Sequence, residues 1–296
     1  MKNTSDPKTR EALQGVLLPN SWPELPEGWE ARFEVLDGLF VLKYFHTPSR
    51  GLPALLTIHG QGEHCGRYAH LPHFFKDRFD EIWTFDLPGH GRSSGIRGHV
   101  EHFDDYVSAT EKVYAKIQSR PIRVLGHSMG GLIALRFLLK HPEIERAAVT
   151  SPLLALGVPV PKLKKWAGEV LNHVWGSFTM TSTLDPNLVS HDPEVVWAYR
   201  NDKLVHGTVT PRFFFGLLKV LDEMFQIPEG PQAQLKWWVA GADEIVDPKA
   251  SERLFELWKK PGDAFVLLPG YRHEVMNEGA GYPKERVFEE MNIWFS

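Results

Sequence analysis

The sequence has a single cysteine, Cys65, among its 296 residues. One cysteine cannot form an intramolecular disulfide, which excludes the disulfide-stapled secreted domains and fits a reducing compartment. Long hydrophobic runs are also missing, since no apolar stretch approaches the roughly 20 residues that a membrane-spanning helix needs. The first seven residues lack the apolar centre of a signal peptide. We therefore expect a cytoplasmic protein whose only membrane contact, if it has one, is peripheral.

The chain also lacks a large net charge of either sign. The formal net charge is −4, which gives no reason to expect nucleic acid as a partner. His99 and His102 have a spacing that is found in metal sites, but no third ligand lies near them in the sequence. We expect these two histidines to be solvated, and we expect neither a metal nor another cofactor.

Short apolar runs alternate with helical patterns along the chain, and Asp37-Gly38 between the first two runs is a strong hairpin signal. The alternation predicts an α/β protein with a mainly parallel, doubly wound sheet of about eight strands and an antiparallel hairpin at one edge. The predicted strands are 31–36, 39–45, 54–59, 81–85, 122–125, 147–150, 235–240 and 264–268. The predicted helices are 68–76, 103–119, 129–140, 249–259 and 284–294.

This alternation stops between residues 152 and 231. The gap of about eighty residues is too long for a normal strand-to-strand crossover. Within it, apolar residues from Leu163 to Val174 recur at helical spacing, and 213–218 form a second apolar block. We predict one α/β domain over residues 1–296, with residues 152–231 inserted as a helical cap.

Residues 126–130 read Gly-His-Ser-Met-Gly, a G-x-S-x-G pattern. A predicted strand precedes the pattern and a predicted helix follows it. Strand, tight turn and helix is the context that exposes a serine as a nucleophile. The pattern therefore predicts Ser128 as the nucleophile of a hydrolase, although an ordinary strand-to-helix turn has the same pattern.

A serine hydroxyl needs a base to take its proton and an acid to orient that base. In this kind of sheet the partners follow the nucleophile in the order Asp, His, each in a loop after a strand. Asp243 and His273 occupy such loops, so we predict them as the orienting carboxylate and the general base. Asp247 competes with Asp243, but it precedes Pro248 at a predicted helix start, where an N-cap is the stronger interpretation.

The oxyanion of a tetrahedral intermediate needs two hydrogen-bond donors. We predict that one is the backbone N–H of Met129, directly after the nucleophile. The other is predicted to be the backbone N–H of Gln61, in the glycine-rich loop 59–62 after the third strand.

Five segments resemble the monoacylglycerol lipase and bacterial lysophospholipase family of α/β-hydrolases. The match runs in order from about Phe33 to Phe295, and its most specific part is 59–68, His-Gly-Gln-Gly-Glu-His-Cys-Gly-Arg-Tyr. The other matching segments are 86–95, 126–131, 241–243 and 271–273. The resemblance implies the α/β-hydrolase fold, a serine esterase that acts on monoacyl lipids, and an apolar acyl tunnel shaped by the cap.

The resemblance also implies that Glu63, Arg67 and Tyr199 contact the polar head group of the substrate. One departure is Met276, which stands where the animal enzymes carry a histidine, three residues after the catalytic one. This departure weakens the case for strict glycerol recognition and leaves a lysophospholipid head group open.

Three lysines, Lys162, Lys164 and Lys165, flank the start of the apolar helix in the cap. A basic amphipathic helix near an active site can dock on a membrane surface. The same pattern arises when the apolar face packs on the sheet domain and the lysines are solvated, so both interpretations stay open.

The sequence thus predicts a serine hydrolase that cleaves the ester of a monoacylglycerol or a lysophospholipid through an acyl-enzyme on Ser128. Within esterases, a short-chain carboxylesterase or an acyltransferase remains an alternative. A peptidase similar to proline iminopeptidases shares the fold and the order of the triad, and Glu63 or a cap carboxylate could bind the substrate amine. A binding protein on a hydrolase scaffold is the non-enzymatic alternative, and an intact triad argues against it.

Overall fold

The computed structural model describes residues 6–117, 121–157, 162–181, 184–279 and 281–296, with the side chains of 162–167 outside the described part. Within these residues, eight strands form one sheet and two short strands form a second. The strands are β1 (Trp29–Leu36), β2 (Leu39–His46), β3 (Ala54–Ile58), β4 (Glu81–Phe85), β5 (Ile122–His127), β6 (Arg146–Thr150), β7 (Met180–Thr181), β8 (Thr208–Val209), β9 (Gln234–Ala240) and β10 (Ala264–Leu268).

The large sheet has the strand order β1-β2-β4-β3-β5-β6-β9-β10. The pairings of β1 with β2 and of β2 with β4 are antiparallel, and every later pairing is parallel. This confirms the predicted fold class, including the antiparallel hairpin at one edge. Because parallel strands end at the same edge, the loops after β3, β5, β9 and β10 are brought together there.

Helices cover both faces of the sheet. The described helices are α1 (Pro7–Ala12), α2 (Leu71–Phe75), α3 (Asp104–Tyr114), α4 (Met129–Leu138), α5 (Lys162–Trp175), α6 (Pro193–Asn201), α7 (Pro211–Met224), α8 (Pro248–Trp258) and α9 (Lys284–Trp294).

The predicted helix over 68–76 is wrong as a single element. A 3₁₀ turn ends at Tyr68 and α2 begins only at Leu71. Pro72 explains the break, because its nitrogen cannot donate a hydrogen bond to Tyr68 of the preceding turn. The predicted helix 103–119 also ends earlier, at Tyr114, and residues 118–119 lie outside the described residues.

Side chains from the two sheet faces form two separate cores. Adjacent residues of a strand point to opposite faces, and β9 shows this with two fully buried rings. Trp237 packs in one core with Phe255, while Trp238 packs in the other with Phe288. The two cores hold β9 from both faces and so support the position of the loop that follows it.

Between β6 and β9 lie α5, α6 and α7 together with β7 and β8, which pair antiparallel as the small second sheet. We call residues 152–231 the insertion. Helix α7 buries one face, including Phe213 and Leu217, in the core beside the sheet. The insertion also contacts loops at the sheet edge where β3 and β9 end, because the His206 N–H donates to Gly62 O at 2.8 Å and the Gly157 N–H donates to Ile245 O at 2.9 Å.

Candidate active site

Ser128 joins β5 to α4 in a strained backbone conformation, with φ 54° and ψ −122°. Residues other than glycine rarely adopt such angles, and they do so mostly at functional sites. The turn is held on both sides: the Ser128 N–H donates to Thr150 O at 2.9 Å, and Ser128 O accepts from the Leu153 N–H at 2.9 Å. This is the geometry of a nucleophile elbow, which exposes the serine hydroxyl at the end of the sheet.

Close backbone packing explains two glycines of the pattern. A Cβ on Gly126 would lie 2.4 Å from Gly130 O, and a Cβ on Gly130 would lie 2.1 Å from Ile58 O. Neither contact is sterically possible for a larger residue without moving the backbone. The glycines therefore allow β5, α4 and β3 to converge on Ser128.

His273 and Asp243 are joined in the loops after β10 and β9. The Nδ1–H of His273 donates to Asp243 Oδ2 at 2.7 Å. The other carboxylate oxygen, Oδ1, accepts from the backbone N–H groups of Ile245 and Val246 at 2.9 and 3.1 Å. Asp243 thus has a fixed orientation, and it fixes the tautomer in which His273 Nε2 carries no proton.

The electrostatics of the pair suit a general base. Burial alone would raise the pKa of Asp243, but the interaction with His273 and two backbone N–H groups lowers it below its usual value. Burial would lower the pKa of His273, yet the charge of Asp243 and the hydrogen bond to it raise that pKa. The carboxylate therefore stays ionised and stabilises the imidazolium that forms when His273 takes a proton.

Asp247, the competing carboxylate, caps a helix instead. It is the N-cap of α8 and accepts from the Lys249 N–H at 2.9 Å. Its position explains its presence without a catalytic role.

His127, the neighbour of Ser128, does not compete with His273. Its ring centroid lies 4.8 Å from that of His273, and its Nδ1 lies 2.9 Å from Thr150 Oγ1. Burial and the adjacent His273 lower the pKa of His127 to about 4. His127 therefore packs beside the base as a neutral ring.

Ser128 and His273 line one cavity of about 910 Å³ between the sheet edge and the insertion. Pockets of this size enclose small organic ligands. Most of its lining is apolar and comes from the insertion, including Leu171, Leu184, Leu188, Val209, Phe213 and Leu217.

The loop after β3 lies directly against the nucleophile. A Cβ on Gly60 would lie 3.1 Å from Ser128 Cβ. Among the described residues, no hydrogen bond uses the backbone N–H of Gln61 or of Met129 as its donor. These two N–H groups remain the predicted donors of an oxyanion hole.

Buried side chains hold this loop in place. Leu87 N–H donates to His59 Nε2 at 2.9 Å, so His59 Nδ1 carries the proton and donates to Gly60 O at 2.7 Å. The Gly60 N–H donates to Glu63 Oε1 at 2.6 Å. Both polar groups of Gly60 are thereby fixed, and the orientation of the next peptide, which carries the Gln61 N–H, is fixed with them.

The three residues expected at the head group lie together, with Glu63 and Arg67 buried and Tyr199 half-buried beside them. Arg67 donates to Glu63 Oε2 at 2.7 Å, and its guanidinium lies 4.9 Å from the ring centroid of Tyr199. Burial would raise the pKa of Glu63, but the positive charge of Arg67 holds it at about 2. Glu63 and Tyr199 line the cavity, and Arg67 lies behind them.

The sequence analysis missed a fourth member of this group, Glu274. It receives two hydrogen bonds from Arg67, each 2.7 Å long, and it also lines the cavity. Its position directly after His273 was the only signal in the sequence. Met276, by contrast, is buried with Val275 in the core that contains Trp238.

Two further expectations concern basic or metal-binding side chains. The side chains of Lys162, Lys164 and Lys165 lie outside the described residues. Within the part of the chain that is described, no group of three or more His, Cys, Asp or Glu side chains is arranged to hold a metal ion. His99 instead contacts Thr210 Oγ1 at 2.9 Å and Glu101 Oε1 at 3.2 Å.

Known proteins with related sequences include lipases and a phospholipase. A monoglyceride lipase from Mus musculus is 29% identical over 88% of this chain and 88% of its own length. Phospholipase YtpA from Bacillus subtilis is 29% identical over 77% of this chain and 90% of its own length. An uncharacterized abhydrolase domain-containing protein from Dictyostelium discoideum is 33% identical over 77% of this chain, which spans 25% of that protein.

A solved structure shows the same architecture. The monoacylglycerol lipase of Paleococcus ferrophilus superposes with a TM-score of 0.78 and 28% identity, over 87% of this chain and 98% of that one. These findings confirm the resemblance to monoacylglycerol lipases and the α/β-hydrolase fold. The Hydrolase_4 family model, described as serine aminopeptidase S33, matches residues 52–280. The chain therefore belongs to the Hydrolase_4 family of α/β-hydrolases.

Proposed function

We propose that this chain is a carboxylic ester hydrolase that cleaves monoacyl lipids through an acyl-enzyme on Ser128. The observation that carries the proposal is the 910 Å³ cavity, which combines Ser128 and His273 with a mainly apolar lining. Such a lining suits a hydrocarbon chain, and the ester bond of a bound monoacyl lipid would lie at the serine. The similarity to a monoglyceride lipase and to a phospholipase supports the same substrate class.

The proposed reaction has two halves. His273 Nε2 takes the proton of Ser128 Oγ as the oxygen attacks the ester carbonyl, and Asp243 stabilises the imidazolium. The backbone N–H groups of Gln61 and Met129 stabilise the oxyanion. His273 then gives its proton to the leaving alcohol. In the second half, His273 activates a water that cleaves the acyl-enzyme and releases the fatty acid and free Ser128.

The insertion acts as the cap in this proposal. Its apolar side chains enclose the acyl chain, and Glu63 and Tyr199 meet the head group at the polar end, with Arg67 behind them. The carboxylates of Glu63 and Glu274 accept hydrogen bonds and suit the hydroxyl groups of a glycerol.

A peripheral membrane contact through α5 would give the cap access to its substrate. Val174 is 81% exposed and Trp175 is 59% exposed on this helix, an apolar surface that a lipid interface can cover. No helix among the described residues is long and apolar enough to cross a membrane. We propose a cytoplasmic location, because the free cysteine Cys65 fits a reducing compartment.

Vesicle co-sedimentation tests the membrane contact. Val174→Asp should reduce the bound fraction several-fold, because a charge cannot enter the acyl region cheaply. Ile293→Asp is the matched control, since Ile293 is 73% exposed but lies on α9, outside the insertion. Equal binding of the two variants would contradict docking through α5.

A peptidase is the second candidate, because the family model is described as a serine aminopeptidase. Glu63 and Glu274 are buried carboxylates at the polar end of the cavity, and such groups can bind a substrate amine. The apolar remainder of the cavity favours the lipid. A short-chain carboxylesterase and an acyltransferase use the same acyl-enzyme and differ in the acyl length or the acceptor.

A matched substrate panel separates these functions. It contains a long-chain monoacylglycerol, a lysophosphatidylcholine, a short-chain nitrophenyl ester and a prolyl amide, each tested with the wild type and Ser128→Ala. We expect serine-dependent turnover to be highest on a long-chain lipid. Activity confined to the short ester or to the amide would replace the lipid proposal, and transfer to an added alcohol would indicate an acyltransferase.

A further inference from the structure

At the polar end of the cavity, Glu63, Arg67 and Glu274 form a cluster of two carboxylates and one guanidinium. Arg67 makes three hydrogen bonds of 2.7 Å to two carboxylates, one to Glu63 and two to Glu274. All three side chains are about 5% exposed or less. One guanidinium cannot neutralise two ionised carboxylates, so a negative charge remains in a region that water screens poorly.

Glu274 is anchored from several directions. Its backbone N–H donates to Val189 O of the insertion at 2.9 Å, and Oε2 accepts from Asn277 Nδ2 at 2.8 Å. With both carboxylate oxygens also bound to Arg67, the side chain has a fixed position in the cavity wall.

The described part of the remaining lining offers no lysine or arginine to pair with an anionic head group. Among the cavity-lining side chains that the structure describes, four are carboxylates, namely Glu63, Asp185, Glu244 and Glu274, and none is a lysine or an arginine. Arg67, which could have bound a phosphate, is occupied by its two carboxylates. A fully ionised phosphate has hydrogen-bond acceptors but no donors, so it cannot form hydrogen bonds with the carboxylates around it.

We infer that Glu274 selects substrates by charge, so that the cavity accepts an uncharged polyol head group and rejects one that carries a phosphate. The inference rests on the proposed function for its choice of ligands. It separates the two head groups that the sequence left open, and it assigns the difference to one residue. Removing the charge of Glu274 while keeping its shape should relax the selection.

Two non-hydrolysable ligands test this without turnover. A long-chain 1-alkylglycerol ether carries the neutral head group, and its phosphate monoester carries the anionic one on the same chain. Binding is measured by titration of the intrinsic tryptophan fluorescence below the micelle concentration. The wild type should bind the phosphate on the order of tenfold more weakly than the neutral ether, as expected for a like charge in a poorly screened site.

Glu274→Gln should reduce this ratio at least threefold, because Arg67 then balances Glu63 alone. Glu244→Gln is the matched control: Glu244 lines the same cavity but is exposed, so water screens its charge and the ratio should stay near the wild-type value. Thermal melting shows whether each variant is folded. Equal binding of the two ligands by the wild type would overturn the inference even if Glu274→Gln failed to fold.

An unchanged ratio in a folded Glu274→Gln variant would also overturn it. The binding ratio tests the role of Glu274 and the hydrolysis panel tests the proposed reaction, so either claim can be refuted without the other. Charge selection without any serine-dependent ester hydrolysis would remove the proposed reaction and leave Glu274 as the selecting residue. Hydrolysis without charge selection would do the reverse.

Discussion

Replacing Asp243 with Asn tests the proposed triad at its most specific contact. The Asp243 Oδ2 atom accepts the Nδ1–H of His273 over 2.7 Å, while Oδ1 accepts two backbone N–H groups. Asn keeps the shape of the side chain, and its single oxygen stays with the two backbone donors. Its NH₂ group then faces His273, so Nδ1 must accept and Nε2 must carry the proton. In that tautomer His273 cannot take a proton from Ser128.

The expected loss in kcat is about 10³- to 10⁴-fold, because a triad with the wrong tautomer retains only the contributions of binding and of the oxyanion hole. The assay is hydrolysis of a long-chain monoacylglycerol at saturating substrate. Asp247→Asn is the matched control. Asn is as good an N-cap as Asp, and Asp247 caps α8, so this variant should keep its turnover within about twofold and its stability within about 0.5 kcal/mol.

The pH profile gives the same test a second readout. Burial lowers the pKa of His273, and the charge and hydrogen bond of Asp243 raise it above its ordinary value. A base must be neutral to act, so kcat/KM of the wild type falls as the pH falls through the raised pKa. Asp243→Asn removes the raising interaction, and the acidic limb of its residual activity should move to lower pH.

Three results would refute the reasoning. Asp243→Asn could retain more than a tenth of the wild-type kcat, Asp247→Asn could lose activity in its place, or the acidic limb could stay where it is in the wild type. The second result would exchange the roles of the two carboxylates. The third would show that Asp243 does not raise the pKa of His273.

The other predictions concern the nucleophile turn and the oxyanion loop. Gly130→Ala places a Cβ 2.1 Å from Ile58 O and should lower the free energy of unfolding by about 1–3 kcal/mol or more. The control, Gly216→Ala, is in an open position of α7 and should raise that free energy by up to about 1 kcal/mol. Equal urea midpoints of the two variants would contradict this. Glu63→Gln weakens the 2.6 Å hydrogen bond from the Gly60 N–H and should lower kcat about tenfold or more, with a smaller change in KM. A change in KM alone would show that the oxyanion loop does not depend on this hydrogen bond.

The fold could be predicted because its signals are local. Continuous apolar runs marked the buried strands, and Asp37-Gly38 marked the hairpin, so a mainly parallel sheet with an antiparallel edge could be predicted. The strand order, in which β4 lies between β2 and β3, was not predicted. The break between Tyr68 and Leu71 was missed because helical spacing of apolar residues hid the effect of Pro72 on the hydrogen bonds. Helix α1, which packs beside β1, was also missed, since six residues are too few for a visible period.

The candidate site could be predicted only where chain order constrains it. The contact of Asp243 with His273 follows from the strand ends of a parallel sheet, and the N-cap role of Asp247 follows from Pro248. The role of Glu274 depends on a contact with Arg67, which lies 207 positions away in the sequence. No local pattern identifies such a pair, because only the folded sheet brings the two loops together.

Covalent labelling tests the central claim, an acyl-enzyme on Ser128, most directly. The purified protein is treated with a long-chain alkyl fluorophosphonate, and the adduct is located by peptide mass spectrometry while monoacylglycerol hydrolysis is followed. The account predicts one adduct per chain, on Ser128, with activity lost in proportion to labelling and with no adduct on Ser128→Ala. Labelling at another residue, or a fully labelled protein that still hydrolyses the lipid, would contradict it.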